Sequence, residues 1–232
     1  MPAAGLFITG TDTGVGKTHV GCMLARGLVD EGLSVAVMKP CETGVERGLA
    51  GELPTGSDAA LLAAAARCAA APTTILPYAF ALPAAPSVAA AHEGCEIERE
   101  RLDQARSLLL ESHDVLLIEG AGGITVPLMP GFTFLDLAAH WGLPVLIVAR
   151  TGLGTLNHSV LTERAARAAG LRVMGLVLNA VDGPVSASDR ANLQPLPELL
   201  AAPILCEFGH GQAPDPAALN GLVEGVRGAL HV

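Results

Sequence analysis

Residues 5–18 read Gly5-Leu6-Phe7-Ile8-Thr9-Gly10-Thr11-Asp12-Thr13-Gly14-Val15-Gly16-Lys17-Thr18. The apolar run Leu6-Phe7-Ile8 has the character of a buried strand. It breaks into a glycine-rich turn and ends in Gly16-Lys17-Thr18, where a helical pattern begins. Strand, turn and helix in that order make a phosphate-binding loop. In such a loop the backbone N–H groups of Thr13, Gly14, Val15 and Gly16 curl around phosphate oxygens. The following helix adds its positive N-terminus. Lys17 reaches the β- and γ-phosphates, and the Thr18 hydroxyl is placed to ligate Mg2+. A chain built this way is expected to handle a nucleoside triphosphate. One irregularity stands out: the usual spacing puts the first glycine at position 11, but that residue is Thr11 and the glycine is Gly10.

The rest of the chain carries the architecture that such a loop needs. Strand-like apolar runs at 5–9, 34–38, 114–118, 144–149, 172–178 and 203–206 alternate with helical stretches. The helical stretches are 16–31, 57–70, 97–112, 133–141, 157–169, 187–201 and 215–230. Gly32 and Gly170 are well placed as helix stops. This alternation predicts an α/β fold with a doubly wound, mostly parallel, three-layer sheet of the P-loop NTPase type. With 232 residues, one domain spanning 1–232 is the expectation. Two regions read as irregular: a long loop over 40–56, and an excursion over 72–96 that carries Pro72, Pro77, Pro83 and Pro86.

Composition narrows the function. Half of the residues are apolar and few are aromatic, which suits helices packed on a parallel sheet. The net charge of −9 argues against broad binding to nucleic acid or anionic membranes. No unbroken apolar segment is long enough to span a bilayer, and the start lacks a secretory pattern, so a cytoplasmic location is expected. The five cysteines (22, 41, 68, 95 and 206) are odd in number and lack paired metal-type spacing, which fits reduced, mostly buried thiols.

A triphosphate site needs carboxylates to hold or orient Mg2+. Glu119 follows the strand-like run Val115-Leu116-Leu117-Ile118. The next residues, Gly120-Ala121-Gly122-Gly123, offer a bare backbone that can lie close to a ligand. Asp58 opens a helix after Ser57, where Ser and Asp are also ordinary helix-start residues, so a metal role and a capping role both stand. Lys39 ends the run Val35-Ala36-Val37-Met38. It either faces solvent or neutralises charge on a transferring phosphoryl group. Ligands bind outside the carboxyl edge of a parallel sheet, so Gly10, Lys39 and Glu119 are expected to converge.

Together these pieces resemble the dethiobiotin synthetases. The resemblance is carried by Gly10 to Thr18, Lys39-Pro40 with Thr43-Gly44, Ser57-Asp58-Ala59 and Glu119-Gly-Ala-Gly-Gly123. Further along it is carried by Gly154-Thr-Leu-Asn-His158, Gly175-Leu-Val-Leu-Asn179 and Ala202-Pro203-Ile204-Leu205. The shifted first glycine is normal for that family. The resemblance implies ATP- and Mg2+-dependent closure of the dethiobiotin ureido ring from 7,8-diaminopelargonate and CO2 (or bicarbonate). One amine forms a carbamate, ATP phosphorylates it, and the second amine expels phosphate. No covalent enzyme intermediate is expected.

The same resemblance implies residue roles. Lys17 and Lys39 act on the phosphates and carbamate, with Thr13 beside them. Thr18, Asp58 and Glu119 hold Mg2+. Thr43, where the family often has Ser, lies near the diamine. Gly154, Leu156 and Asn157 receive the substrate carboxylate across a homodimer interface. Asn157 also reads as the cap of its helix. Asn179 meets the adenine, with a second contact from the loop at Phe208 and Gly209, where the family commonly has Ile-Pro. Gly14 stands where the family often has Glu.

Two competing readings use the same loop. Dimerising partition-type ATPases carry a signature lysine five residues before the main one; here that position is Asp12. Their basic membrane-type helix is not matched by 215–230, where only Arg227 is basic. Amidoligases with a related loop append a glutaminase domain that this chain does not supply.

Overall fold

The computed structural model describes residues 4–46, 51–211 and 214–231. The chain begins with β1 (Ala4–Gly10), α1 (Lys17–Asp30), β2 (Val35–Met38), β3 (Cys41–Thr43) and α2 (Asp58–Ala66). It continues through α3 (Pro72–Ile75), β4 (Tyr78–Phe80), α4 (Pro86–His92), α5 (Arg99–Ser112) and β5 (Val115–Gly123). Next come β6 (Pro127–Met129), β7 (Phe132–Thr133), α6 (Phe134–His140), β8 (Val145–Arg150) and α7 (Thr155–Ala168). It closes with β9 (Val173–Asn179), α8 (Ala187–Leu193), α9 (Leu196–Leu199), β10 (Ile204–Phe208) and α10 (Pro216–Leu230).

Six strands form one sheet in the order β10-β9-β8-β1-β5-β2, and every pairing in it is parallel. These are the six strands read from the sequence. Parallel strands are buried on both faces, so they show as near-continuous apolar runs. The side chains alternate between two cores. Phe7, Met38, Ile118, Val145 and Ile147 pack with α4, α5, α6 and α7 on one face. Leu6, Ile8, Val37, Leu117 and Val148 pack with α1, α2 and α10 on the other. The result is a three-layer α/β/α arrangement. From β1 the chain moves outward to β2, returns to β5 beside β1, then crosses to β8 on the other side. The carboxyl end of β1 is therefore a topological switch point, the place where open α/β sheets bind ligands.

The differences from the sequence reading have local causes. The predicted helix 57–70 stops at Ala66, because Arg67 takes a left-handed φ of 50°. The predicted helix 187–201 is two pieces, α8 and α9, parted at Pro195, which has no N–H to continue the ladder. The 40–56 loop starts with the short strand β3, while residues 47–50 of that reading lie outside the described residues. The 72–96 excursion contains α3, β4 and α4. Pro72 and Pro86 stand at the first position of their helices, where proline is favoured, so two of its prolines start structure instead of interrupting it. The β6–β7 hairpin was not foreseen.

Candidate active site

The loop after β1 is shaped by two glycines. Gly16 caps α1 in the left-handed region (φ 85°), and a Cβ there would lie 2.0 Å from Asn179 Nδ2. A Cβ at Gly10 would lie 2.6 Å from the Asp12 carbonyl and 3.1 Å from Lys17 Nζ. The unusual position of the first glycine thus has a local reason: position 10, not 11, faces the inside of the loop. No side chain caps α1, which leaves its first-turn N–H groups for a ligand. Lys17 Nζ donates to the Asp12 carbonyl at 3.3 Å, folding back along the loop.

The three strand ends meet as expected. Lys39 is 2% exposed and Glu119 is 1% exposed, and the two form an ion pair. Lys39 Nζ also reaches Asp58 Oδ2 at 2.8 Å. Thr18 Oγ1 donates to Glu119 Oε1 at 2.9 Å. The backbone of Lys39 is held from the side by α3, through its N–H to the Ile75 carbonyl at 2.7 Å. One buried ammonium thus sits between two carboxylates, at the mouth of the loop and beside its threonine.

The charges act strongly on one another. Burial and the nearby Lys39 charge lower the Lys17 ammonium to about 8, against the pull of Glu119, Asp58 and Asp12. Burial works to lower Lys39 too, but Glu119 and Asp58 outweigh it and hold Lys39 above its ordinary value. Burial pushes the Asp58 carboxyl up, yet the Lys39 charge wins and keeps it below the ordinary range. The Cys41 thiol, by contrast, is pushed far up by burial, which suits packing and not nucleophilic chemistry.

The donor set suits Mg2+. Two carboxylates and a hydroxyl oxygen are hard ligands of the kind this ion takes, and it commonly completes its shell with phosphate oxygens and water. Glu119 Oε2 is buried and has no hydrogen-bond partner among the described residues, so this site retains an oxygen to share with a cation.

A cleft of about 690 Å³ opens over these groups. It is lined by Thr13, Gly14, Gly16, Lys17, Thr18, Lys39, Thr43, Asp58, Ala121 and Gly122, all expected from the sequence. Its far wall was not foreseen. Glu42, Val126 and the Pro83-Ala84-Ala85-Pro86 segment supply it. The two prolines around an alanine pair were the available signal, but they read as loop. A second cavity of about 680 Å³ lies behind the loop and is lined by Gly16, His19, Asn179, Gly209 and His210. Asn179 Nδ2 donates to the Val15 carbonyl at 3.0 Å, so this residue ties the second cavity to the phosphate loop. Phe208 is fully buried, its ring edge-on to His19 at 5.7 Å, and its carbonyl accepts from Ala180 N–H; Gly209 is the part of that pair which lines the cavity. Arg150, also unforeseen, lies beside the loop, with its guanidinium 3.5 Å from Asp12 and 3.4 Å from the Thr13 carbonyl.

The turn Gly154-Leu156-Asn157 does not line the cleft of its own chain. The helix cap there is Gly154 (φ 94°), and Asn157 lies inside α7, which corrects its reading as the capping residue. Leu153 just before the helix is 85% exposed, and Leu161, four residues after Asn157 within α7, is 57% exposed.

The fold and the loop define the class. A family model described as an AAA domain matches residues 4–212, and the chain belongs to that P-loop family. The septum site-determining protein MinD with Mg-ADP from Pyrococcus horikoshii OT3 superposes with a TM-score of 0.51 at 18% identity, over 96% of this chain and 86% of that one. Chloroplast FtsY from Physcomitrella patens gives 0.52 at 17% identity, over 96% of this chain and 65% of that one. At such identities the likeness concerns the fold alone.

The particular family follows from closer relatives. The ATP-dependent dethiobiotin synthetase of Anaeromyxobacter sp. (strain K) is 48% identical over 75% of this chain and 76% of its own. That of Aquifex aeolicus (strain VF5) is 43% identical over 84% of each. That of Nitrosospira multiformis is 39% identical over 95% of this chain and 94% of its own. The chain belongs to the dethiobiotin synthetase family.

Proposed function

We propose that this chain is an ATP-dependent ligase that closes the ureido ring of dethiobiotin from 7,8-diaminopelargonate and CO2, in biotin biosynthesis. The observation that carries this reading is the convergence of Lys39, Asp58, Glu119 and Thr18 at the mouth of the phosphate loop. In this reading Lys17 and the loop amides bind the β- and γ-phosphates, and the base lies in the second cavity near Asn179 and Gly209. Thr18, Asp58 and Glu119 would hold Mg2+, which when bound neutralises charge on the phosphate oxygens.

The chemical difficulty is that two anions, a carbamate and a γ-phosphate, must approach each other. Lys39 lies between the loop and the rest of the cleft, where its ammonium would face both anions. Thr13 and Thr43 place hydroxyls on either side, suited to orienting the carbamate and the free amine. Pro83, Pro86 and Val126 give the apolar wall along which a hydrocarbon chain would lie. The carboxylate end of the substrate would meet the Gly154–Asn157 turn of a second copy. Leu153 beside that turn is 85% exposed, apolar surface that a second copy would cover. No helix among the described residues is long and apolar enough to cross a membrane.

Incubation of the purified protein with MgATP, bicarbonate and 7,8-diaminopelargonate is expected to yield dethiobiotin, detected by mass. A folded, nucleotide-binding protein that makes none would reject the reading. Asp58→Ala is expected to raise the Mg2+ concentration needed for half-maximal rate by about 10-fold or more. An unchanged requirement would return Asp58 to its place as an ordinary helix-start residue.

A further inference from the structure

Glu42 is the middle residue of β3, three residues after Lys39 and immediately before Thr43. It is buried in the cleft wall. Both of its carboxylate oxygens are used on a single target, the start of α2. One accepts the Asp58 N–H at 2.7 Å and the other accepts the Ala59 N–H at 3.1 Å. The next first-turn donor, the Ala60 N–H, goes to Ser57 Oγ at 3.1 Å. Helix α2 is thus capped twice, once by an ordinary local serine and once by an acid from a strand 16 residues away.

The second cap is costly in a way that a purely structural cap need not be. It puts another carboxylate beside Asp58 in a buried wall, and burial raises the Glu42 carboxyl above its ordinary value. A serine or threonine would cap the helix without adding charge. What Glu42 adds is geometry. Helix ends fray, and Asp58 is the first residue of this helix, half-exposed at its side chain. Two charge-assisted bonds to the Asp58 and Ala59 amides hold that residue against β3. Lys39 and Thr43 belong to the same short segment.

We propose that Glu42 is a positioning residue, which fixes the Asp58 carboxylate at the metal-phosphate edge of the cleft and locks it in register with Lys39 and Thr43. The proposal rests on Asp58 being a metal ligand, and the test separates the two. Mn2+ binding to the protein–ADP complex is followed by electron paramagnetic resonance, with urea unfolding and steady-state kinetics on the same variants. Glu42→Ala is expected to weaken Mn2+ binding about 10-fold. It should lower the rate at limiting Mg2+ and leave the diamine KM nearly unchanged. Glu42→Gln keeps one acceptor oxygen and is expected to fall between wild type and alanine; it also serves if the alanine variant folds poorly. Ser57→Ala removes the other cap of the same helix and is expected to lower stability without altering Mn2+ binding. The double variant Glu42→Ala/Asp58→Ala should bind Mn2+ no more weakly than Asp58→Ala alone.

Normal Mn2+ affinity in Glu42→Ala, or an equal loss in Ser57→Ala, would overturn the positioning role while leaving Asp58 a ligand. Normal affinity in Asp58→Ala would overturn both.

Discussion

Lys39→Gln is expected to lower kcat about 1,000-fold while nucleotide affinity changes by less than about threefold. Glutamine keeps a hydrogen-bond donor on a side chain one bond shorter, so the substitution removes the charge while leaving a polar group in place. Lys39 is a counter-ion that stands between Glu119 and Asp58, both of which would otherwise face each other across the mouth of the loop. In the proposed reaction the same ammonium faces a carbamate and a γ-phosphate. Charge that grows on these groups in the transition state is where a fixed cation acts most strongly. In the same reading the nucleotide is bound by the loop amides and Lys17, which the substitution leaves in place. Single-turnover kinetics and nucleotide titration separate the two effects. A variant with near-normal turnover would remove Lys39 from the mechanism. A second readout comes from stability. Taking the charge from a buried pair leaves Glu119 uncompensated, at a cost of about 3 kcal/mol.

Why the central sheet and the loop could be read from the sequence, and the far wall could not, is a matter of contact range. Each of the six strands is sandwiched between helices, so its burial is written locally as a run such as Val115 to Ile118. The phosphate loop is likewise local: strand, glycines, lysine and helix lie within residues 4–30. Lys39 and Glu119 were legible because a parallel sheet sends all of its strand ends to one edge.

Glu42 was not legible, because nothing near position 42 signals that its carboxylate will reach residues 58 and 59. Arg150 has the same character, lying 137 residues from the loop carbonyl it touches. The Pro83–Pro86 wall failed for a different reason. Proline marks both loops and the first turn of helices, and only the tertiary fold shows that Pro86 begins α4. Asn179 was read for its amide facing a base. The structure adds that its Nδ2 is already engaged with Val15, which makes it part of the loop as well as of the cavity.

That dual position sets up the second large effect. Gly16→Ala is expected to weaken nucleotide binding by more than about 100-fold and to lower stability by about 2–4 kcal/mol. The new Cβ would lie 2.0 Å from Asn179 Nδ2 and 3.2 Å from Val181 Cγ1, at a backbone φ of 85°. Asn179 is buried except where it lines the second cavity, so its amide can move only into that cavity. Relief requires it to give up its bond to the Val15 carbonyl or requires the loop to move off the start of α1, and either change disturbs the phosphate cradle and the second cavity together. The two contributions can be separated by a double-variant cycle. Asn179→Ala alone should cost about 1 kcal/mol from the lost hydrogen bond. Gly16→Ala/Asn179→Ala should be more stable than the sum of the single losses, because the collision with Nδ2 is gone and what remains is the left-handed backbone penalty and the tight Val181 contact. Urea unfolding and titration with a fluorescent nucleotide read both quantities. Additive losses, or normal nucleotide binding by Gly16→Ala, would show that the loop and the second cavity are not coupled through this contact.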